Sequence, residues 1–493
     1  MYNTILHFIE NDIKEIERVV ESLLRSEKDT DDLATTIQEK VVNLGRNLQA
    51  EIYEKLDEEI RNSIIRKKKW TIEQRNEEKE ILDIMGMVQF CRTGYMNKKT
   101  GEYVYLLDKV LGFEGHQRIT LGAAAKALEE TIMTSYAKGG KAASITDGIS
   151  KQAVKQLVHE TKIDFPINVP SEKKRAKFLH IVADEDHVAA QFVTKKGDLP
   201  RDINGRKINT IMPKIICLYE DIINEAGENS KHPRYKLIGK RYFSEVHKGS
   251  EANENFWQEV EDYINTVYDA EYLERIYISG DGASWIKAGC NVLDKSKFVL
   301  DKFHIMKYIN TSVAHLMDSA DDTKSEIWEA INTADKTELK EIYKRIMEVT
   351  ESQNKYDEVK GALNYLINNW KGIKIRVEDS GGCWGCCAEG QVSHILSARL
   401  SSRPMGWSVT GCDQIAKLRA NKWNGGKVID ILKYQKKKQI KDDYRQEQEE
   451  LIKELRKRQS GWDYEEQIKG SIPGLEQHSM KWMKALINQA LDA

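Results

Sequence analysis

Between Phe178 and Phe192 an apolar run, Phe-Leu-His-Ile-Val-Ala, leads directly into Asp184-Glu185-Asp186 and resumes as His-Val-Ala-Ala-Gln-Phe. Apolar residues on both sides predict a strand over 178–192. Successive side chains of a strand alternate faces, so Asp184 and Asp186 would share one face and Glu185 take the other. Acids in a strand that enters a sheet core are expensive unless they are paired or hold a cation. The surrounding periodicity is α/β: strands are predicted at 235–246, 275–279 and 297–300, and helices at about 207–226, 253–269 and 303–317.

Two further segments put an acid at a similar boundary. Ile276-Tyr-Ile-Ser-Gly280-Asp281-Gly282-Ala-Ser-Trp285 is an apolar strand running into Gly-Asp-Gly and then a helix. Asp281 would stand at the carboxyl edge of the sheet, between glycines that let a phosphate or metal approach. Phe298-Val-Leu-Asp301-Lys-Phe-His304 repeats the pattern one strand later. The third segment, Ala388-Glu389-Gly390, opens a helix predicted over 391–403. At 100° per residue, positions 392, 393, 396, 399 and 403 would share the face of Glu389, adding Arg399 and Arg403 as phosphate-binding cations. Singly, each acid reads as a helix cap or a first-turn acid. Together they match what two hard cations need, which is carboxylates delivered from separate segments of one sheet and one helix.

An Asp on one strand, an Asp beyond a later strand and a Glu on a helix after a long insertion is the RNase H-like DDE arrangement. The segments EYVYLLDKVLGF, IVADEDHVAAQ, YISGDGASWIK, FVLDKFHIMKYI and CCAEGQVSHILSARLSSRPMGWS resemble the Lre group of bacterial insertion-sequence transposases, long filed as an uncharacterised protein family and distantly similar to Mutator-like transposases. The resemblance covers roughly residues 80–425. It implies Asp184, Asp281 and Glu389 as catalytic acids holding two Mg²⁺ or Mn²⁺ per active site, with Asp186 and Asp301 as reserves. In such proteins Gly typically follows the first acid; here Glu185 does, with Asp186 close by. Asp301 and His304 fall where Mutator-like relatives carry a Cys/His pair and are read as supporting residues. The 107 residues between Asp281 and Glu389 fit the helical insertion of such relatives.

The flanks are read from pattern. Residues 1–80 show apolar residues at helical spacing, and 81–112 read as a basic β-hairpin turning at Asn97–Gly101. From 116 to 177 there are 11 Lys or Arg against 6 Asp or Glu. There Ser150 is the expected N-cap of a helix whose Ala153, Val154 and Leu157 would be buried and whose Lys151, Gln152, Lys155 and Gln156 would face DNA in helix-turn-helix fashion. The equally plain reading is an ordinary amphipathic helix. Net charge is −2, from 76 basic and 78 acidic side chains, so a nucleic-acid binder of this composition must concentrate its positive charge in patches. No stretch approaches the roughly 20 apolar residues of a membrane helix, and the N-terminal residues lack a basic n-region before an apolar core. Seven cysteines, an odd number in a long chain, fit a reducing cytoplasm. Cys383, Cys386 and Cys387 contain one CxxC, with His394 and Cys412 near. Without a partner pair this is read as small thiols packing around Glu389, with zinc the alternative.

The expected architecture is therefore an α/β RNase H-like core, a mixed sheet with flanking helices, built from 171–310 and 372–425. A mostly helical insertion at 311–371 interrupts it. An α-helical N-terminal DNA-binding region (1–80, 81–112 and 113–170) precedes it, and a charged helical tail follows at 426–493. The expected function is a DDE transposase that binds terminal inverted repeats, hydrolyses phosphodiesters and transfers 3′-OH ends. Its expected partners are double-stranded DNA and copies of itself, with no membrane, in the bacterial cytoplasm at the nucleoid. The alternatives are another RNase H-like nuclease or a non-catalytic DNA-binding descendant.

Overall fold

The computed structural model describes residues 2–163, 167–201, 205, 207, 209–226, 234–379, 388–403, 405–439 and 449–456. The chain forms two compact units. One comprises residues up to 131, 135–154 and those from 432 onward; the other comprises 132–134 and 155–431.

The first unit opens with a short helix, Asn3–His7, and a π-helical turn, Phe8–Asp12, followed by helices Ile13–Leu24 and Thr30–Asn62. Asp29 starts the longer helix through a reciprocal capping box, accepting from the Asp31 and Asp32 N–H groups while Asp32 accepts from its own. A six-residue helix, Ile64–Lys69, then runs into β1 (Trp70–Asp83), which pairs antiparallel with β2 (Gly86–Asn97). Helix was expected to about residue 80, but the chain turns to strand at Trp70. The segment from Glu73 to Glu80 is densely charged and has neither a clear period of 2 nor one of 3.6, so β1 owes its form to pairing with β2. The predicted turn at 97–101 does join β2 to β3 (Tyr103–Tyr105), with Gly101 at φ +69°. Ile60, Trp70, Ile81, Phe90, Tyr95 and Leu107 form the core of this unit, and Leu451 and Leu455 complete it from the far end of the sequence. The Glu454 carboxylate accepts from the Ser63 hydroxyl (2.9 Å) and the Ile64 N–H (2.9 Å), closing the start of the short helix. Helices Leu121–Met133, Tyr136–Lys141 and Lys151–Glu160 follow where helix was expected.

The second unit is built on a five-stranded mixed sheet of β4 (Phe178–Glu185), β7 (Lys214–Tyr219), β10 (Arg241–Glu245), β11 (Arg275–Gly280) and β12 (Ser296–Leu300). Its order is β10-β7-β4-β11-β12. β7 is antiparallel to both its neighbours, whereas β4, β11 and β12 are mutually parallel. Two small ribbons, β5 (Val188–Ala189) with β6 (Thr210–Ile211) and β8 (Asp221–Asn224) with β9 (Tyr235–Ile238), lie outside it. Leu179, Ile181 and Ala183 of β4 pack with Ile216, Ile278, Trp257 and Trp285 under helices Ser250–Val267 and Ser284–Val292. On the other face His180 is stacked between Tyr219 and Tyr277.

Three expectations are corrected here. The helix predicted at 207–226 is strand (β6, β7 and β8): the run Lys-Ile-Ile-Cys-Leu-Tyr of β7 is buried at every position, and a fully buried run has no period by which to tell strand from helix. The strand predicted over 178–192 breaks after Glu185, and the one over 235–246 is the two strands β9 and β10. The insertion is helical as expected. Helices Ala320–Asn332, Lys336–Glu348 and Gln353–Asn368 share an apolar core with Lys302–Val313, and Trp370–Glu378 packs on β12. No helix among the described residues is long and apolar enough to cross a membrane.

Candidate active site

The parallel strands decide where the acids go. Val182 is in register with Ser279, and Gly280 with Leu300. Asp184, Asp281 and Asp301 therefore emerge at the carboxyl ends of three adjacent strands, whose neighbours lie about 4.8 Å apart. The short helix Ala388–Gln391, bearing Glu389, packs against β4 and β7 beside them. Burial pushes the Asp184 carboxyl up to about 6, and the negative charges of Asp281 and Glu389 add to the rise; the Glu185 N–H, 2.8 Å from its Oδ1, and His304 oppose it. Asp281 and Glu389 are thus each within electrostatic reach of Asp184.

Asp281 sits in a turn built around it. Its Oδ1 accepts from the Ala283 N–H (2.8 Å) and its carbonyl accepts from the Tyr365 hydroxyl (2.5 Å). Gly282 has φ +91°, and a Cβ there would lie 2.4 Å from Asn369 Oδ1. Asn369 is buried and donates to the Tyr365 carbonyl (2.9 Å). Helix Gln353–Asn368 of the insertion and the residue that follows it thus fix the backbone that carries Asp281. Sequence reasoning did not single out Tyr365 or Asn369, because only the fold brings them to a residue some 84 positions earlier.

Asp301 caps helix Lys302–Val313 through the Phe303 N–H (3.1 Å) and lies 3.4 Å from His304 Nδ1. The Asp301 carboxylate raises the His304 pKa, as do the charges of Asp281 and Asp184, against the opposing effect of burial. Asp186 lies one residue beyond the end of β4, so the strand alternation that would pair it with Asp184 does not extend to it. Its Oδ2 instead accepts from the hydroxyls of Ser397 (3.0 Å) and Ser401 (2.7 Å). Asp186 therefore joins the end of β4 to the chain segment that carries Glu389.

That segment also departs from expectation. It is α-helical over Ala388–Gln391, a π-helix over Val392–Ser397 and α-helical again over Ala398–Leu400. A π turn closes i→i+5 bonds and winds more loosely, so a count at 100° per residue fails across it. Glu389 is exposed, whereas Val392, Leu396 and Arg399 are buried. Arg399 lies over the Trp407 ring (4.7 Å) and is not on a solvent face with Glu389; Arg403 lies beyond the helix end and is exposed. The buried Arg419 guanidinium donates to the carbonyls of His394 (2.7 Å) and Ile395, inside the π segment. It supplies partners where the α-helical ladder is interrupted.

Lys151, Gln152 and Gln156 are exposed and Lys155 is half-buried on helix Lys151–Glu160, which starts at Ser150 with its hydroxyl accepting from the Ala153 N–H (3.1 Å). Val154 and Val158 are the buried pair; Ala153 and Leu157 are only half-covered. Cys383, Cys386 and Cys387 lie outside the described residues; Cys91, Cys217, Cys290 and Cys412 form no disulfide among the described residues. Among the described residues no three His, Cys, Asp or Glu side chains are grouped closely enough to form a ready cation cage. In chemistry the donor set of Asp184, Asp281 and Glu389 does suit a hard cation: all its ligands are oxygen, and a positive charge would offset the burial, and the smaller repulsion, that raise Asp184.

Comparison with known proteins gives three results. The profile described as "Uncharacterised protein family (UPF0236)" matches residues 27–438. UPF0236 proteins of Caldanaerobacter subterraneus subsp. tengcongensis are 34% identical over 91% of this chain and 89% of the relative, and 35% identical over 88% of this chain and 87% of the relative. A chain of the Drosophila P element transposase strand transfer complex aligns over 65% of this chain and 82% of its own at 12% identity, with a TM-score of 0.19; so low a score supports no statement about this fold. The match over most of the sequence, together with relatives aligned over nearly their full length, makes this chain a member of the uncharacterised protein family UPF0236.

Proposed function

We propose that this protein is a metal-dependent DDE transposase with an RNase H-like core, cutting phosphodiesters at the ends of its element and joining the freed 3′-OH to target DNA. The observation that carries the reading is the half-buried Asp184 carboxyl at the carboxyl edge of the sheet, whose pKa burial pushes up to about 6, with the charges of Asp281 and Glu389 adding to the rise. A carboxyl so perturbed, with two further acids near it at the edge of a sheet, is a candidate functional group. The strand order, with β4, β11 and β12 parallel and β7 and β10 antiparallel to their neighbours, supports the RNase H-like assignment. Asp184, Asp281 and Glu389 would hold Mg²⁺ or Mn²⁺, which when bound lowers the pKa of water or a 3′-hydroxyl and stabilises a leaving oxygen. Tyr365 and Asn369 keep the Asp281 turn in place. Asp186 holds the Glu389 segment against β4, and His304, whose pKa the Asp301 carboxylate raises, lies within electrostatic reach of Asp184 and Asp281.

The partner in this reading is double-stranded DNA, with Lys151, Gln152, Lys155, Gln156 and Arg403 as contacts and a homo-oligomer pairing two ends. The test is Mg²⁺-dependent nicking of duplexes that carry the inverted repeats flanking the gene, beside random duplexes and RNA–DNA hybrids. Cleavage at the repeats that is lost in Asp281→Ala supports the proposal. An Asp281→Ala protein that cuts as well as the parent, or cutting confined to hybrids, overturns it.

A further inference from the structure

The first unit carries a concentration of positive charge that the proposed site does not use. Residues 64–69 (Ile-Ile-Arg-Lys-Lys-Lys) and 96–101 (Met-Asn-Lys-Lys-Thr-Gly) hold six cations and no acid, in a chain whose 76 basic and 78 acidic side chains otherwise balance. The register of β1 and β2 joins the two segments: Trp70 pairs with Asn97, so the residues just before Trp70 and just after Asn97 meet at one end of the sheet. Hydrogen bonds fasten them there. The Lys98 N–H donates to the Lys69 carbonyl (3.0 Å) and Lys98 Nζ donates to the Lys67 carbonyl (2.7 Å). Lys67, Lys68, Lys69, Lys98 and Lys99 are all exposed.

The bland reading is that lysines at a helix carboxyl end are favoured by the macrodipole. It covers Lys67, Lys68 and Lys69 but gives no reason for the turn to add Lys98 and Lys99 at the same end. Like charges so gathered repel, and the ion pair of Lys69 with Glu450 at 3.0 Å offsets only one of them. Arg66 is turned inward, its guanidinium donating to the Arg61 carbonyl. The outward lysines are point charges on flexible stems, which suit phosphates tracked without sequence readout. A membrane surface would ask for an amphipathic element with an apolar face beside the cations; this helix has six residues, of which only Ile64, 59% exposed, offers apolar surface of that kind.

We infer that the Lys67–Lys69 helix end and the Lys98–Lys99 turn form one surface that binds the phosphate backbone of duplex nucleic acid. It is a positioning surface, separate from the candidate acids and from helix Lys151–Glu160. The inference rests on the reading of DNA as the partner and names where the backbone is gripped.

The experiment uses the full-length chain and a labelled duplex of about 40 base pairs, with affinity measured from roughly 50 to 250 mM salt. Each lost phosphate contact lowers the log–log salt slope by about 0.9. The triple variant Lys67→Ala/Lys68→Ala/Lys99→Ala leaves the Lys98 hydrogen bonds intact. It should flatten the slope by about 2–3 and weaken binding at least 10-fold near 150 mM salt, while the corresponding triple Arg variant keeps parental binding. Circular dichroism and thermal melting of both variants matching the parent would exclude misfolding as the cause. Unchanged slope and affinity in the Ala variant overturn the surface while leaving DNA as the partner. No binding by the parent at the lowest salt overturns both. Binding to phosphatidylserine-containing vesicles that the Ala variant loses, with duplex binding unaltered, overturns it in favour of a membrane partner.

Discussion

At Asp184 the folded chain keeps a carboxyl that titrates near 6 where an unfolded one titrates near 3.8. Between those values the native state holds more protons than the unfolded state, so stability falls as pH rises through that window, and the whole penalty of roughly 2–3 kcal/mol is present above it. Asp184→Asn should therefore raise the melting temperature at pH 7.5 by several degrees and change it little at pH 4, which a pH series of thermal melts measures. A melting temperature lowered at pH 7.5 would contradict the electrostatic account. Millimolar Mg²⁺ should stabilise the parent at pH 7.5 more than it does Asp184→Asn, and equal shifts in the two proteins would count against the carboxylates as its ligands. At the Asp281 turn, Gly282→Ala would force a Cβ to within 2.4 Å of Asn369 Oδ1 at φ +91°. A loss of about 2 kcal/mol or more is expected, against about 1 kcal/mol for Tyr365→Phe, which removes one hydrogen bond. Urea unfolding of the two variants gives both numbers.

Among the elements, the segment 388–400 is held by contacts that no helical wheel reveals. Removing the Arg419 guanidinium (Arg419→Met) would leave the carbonyls of His394 and Ile395 without that donor in a buried place. A loss of about 3 kcal/mol or more is expected by the same unfolding measurement. The parallel strands, the turn at Gly101 and the insertion helices were legible because each pattern was complete within a few residues. So were the places of Asp184 and Asp281 at strand ends and of Glu389 at a helix start, through the small residues around them. What was not legible depended on partners distant in sequence: β7 as strand, Asp186 bound by two serines, and Arg399 buried over Trp407. The π turn belongs with these, because its looser winding depends on a guanidinium more than twenty residues further along the chain. Local propensity carries no information about such partners.

For the whole molecule, the division into two units separates the candidate acids from the basic surface formed by Lys67 and Lys99. The two should fail independently. Asp281→Ala should retain the duplex affinity and salt slope of the parent, and the triple lysine variant should retain the pH-dependent melting conferred by Asp184. Filter binding and thermal melts on both proteins check this, and any loss of duplex binding in Asp281→Ala in the absence of metal would show the surfaces to be coupled. Glu454→Ala should loosen the start of helix Ile64–Lys69 by about 1 kcal/mol, read as faster amide exchange at residues 64–67.

Leu451, Leu455 and Glu454 have a consequence for biosynthesis. A ribosome delivers the chain in order, and domains generally fold as units while they emerge. All of 155–431, with its sheet and candidate acids, is synthesised before the side chains that finish the core around Trp70. A polypeptide interrupted after residue 431 would thus carry all strands of the sheet and an unfinished amino-terminal unit, and competence to grip nucleic acid through that unit would come only once residues 451–455 had been added.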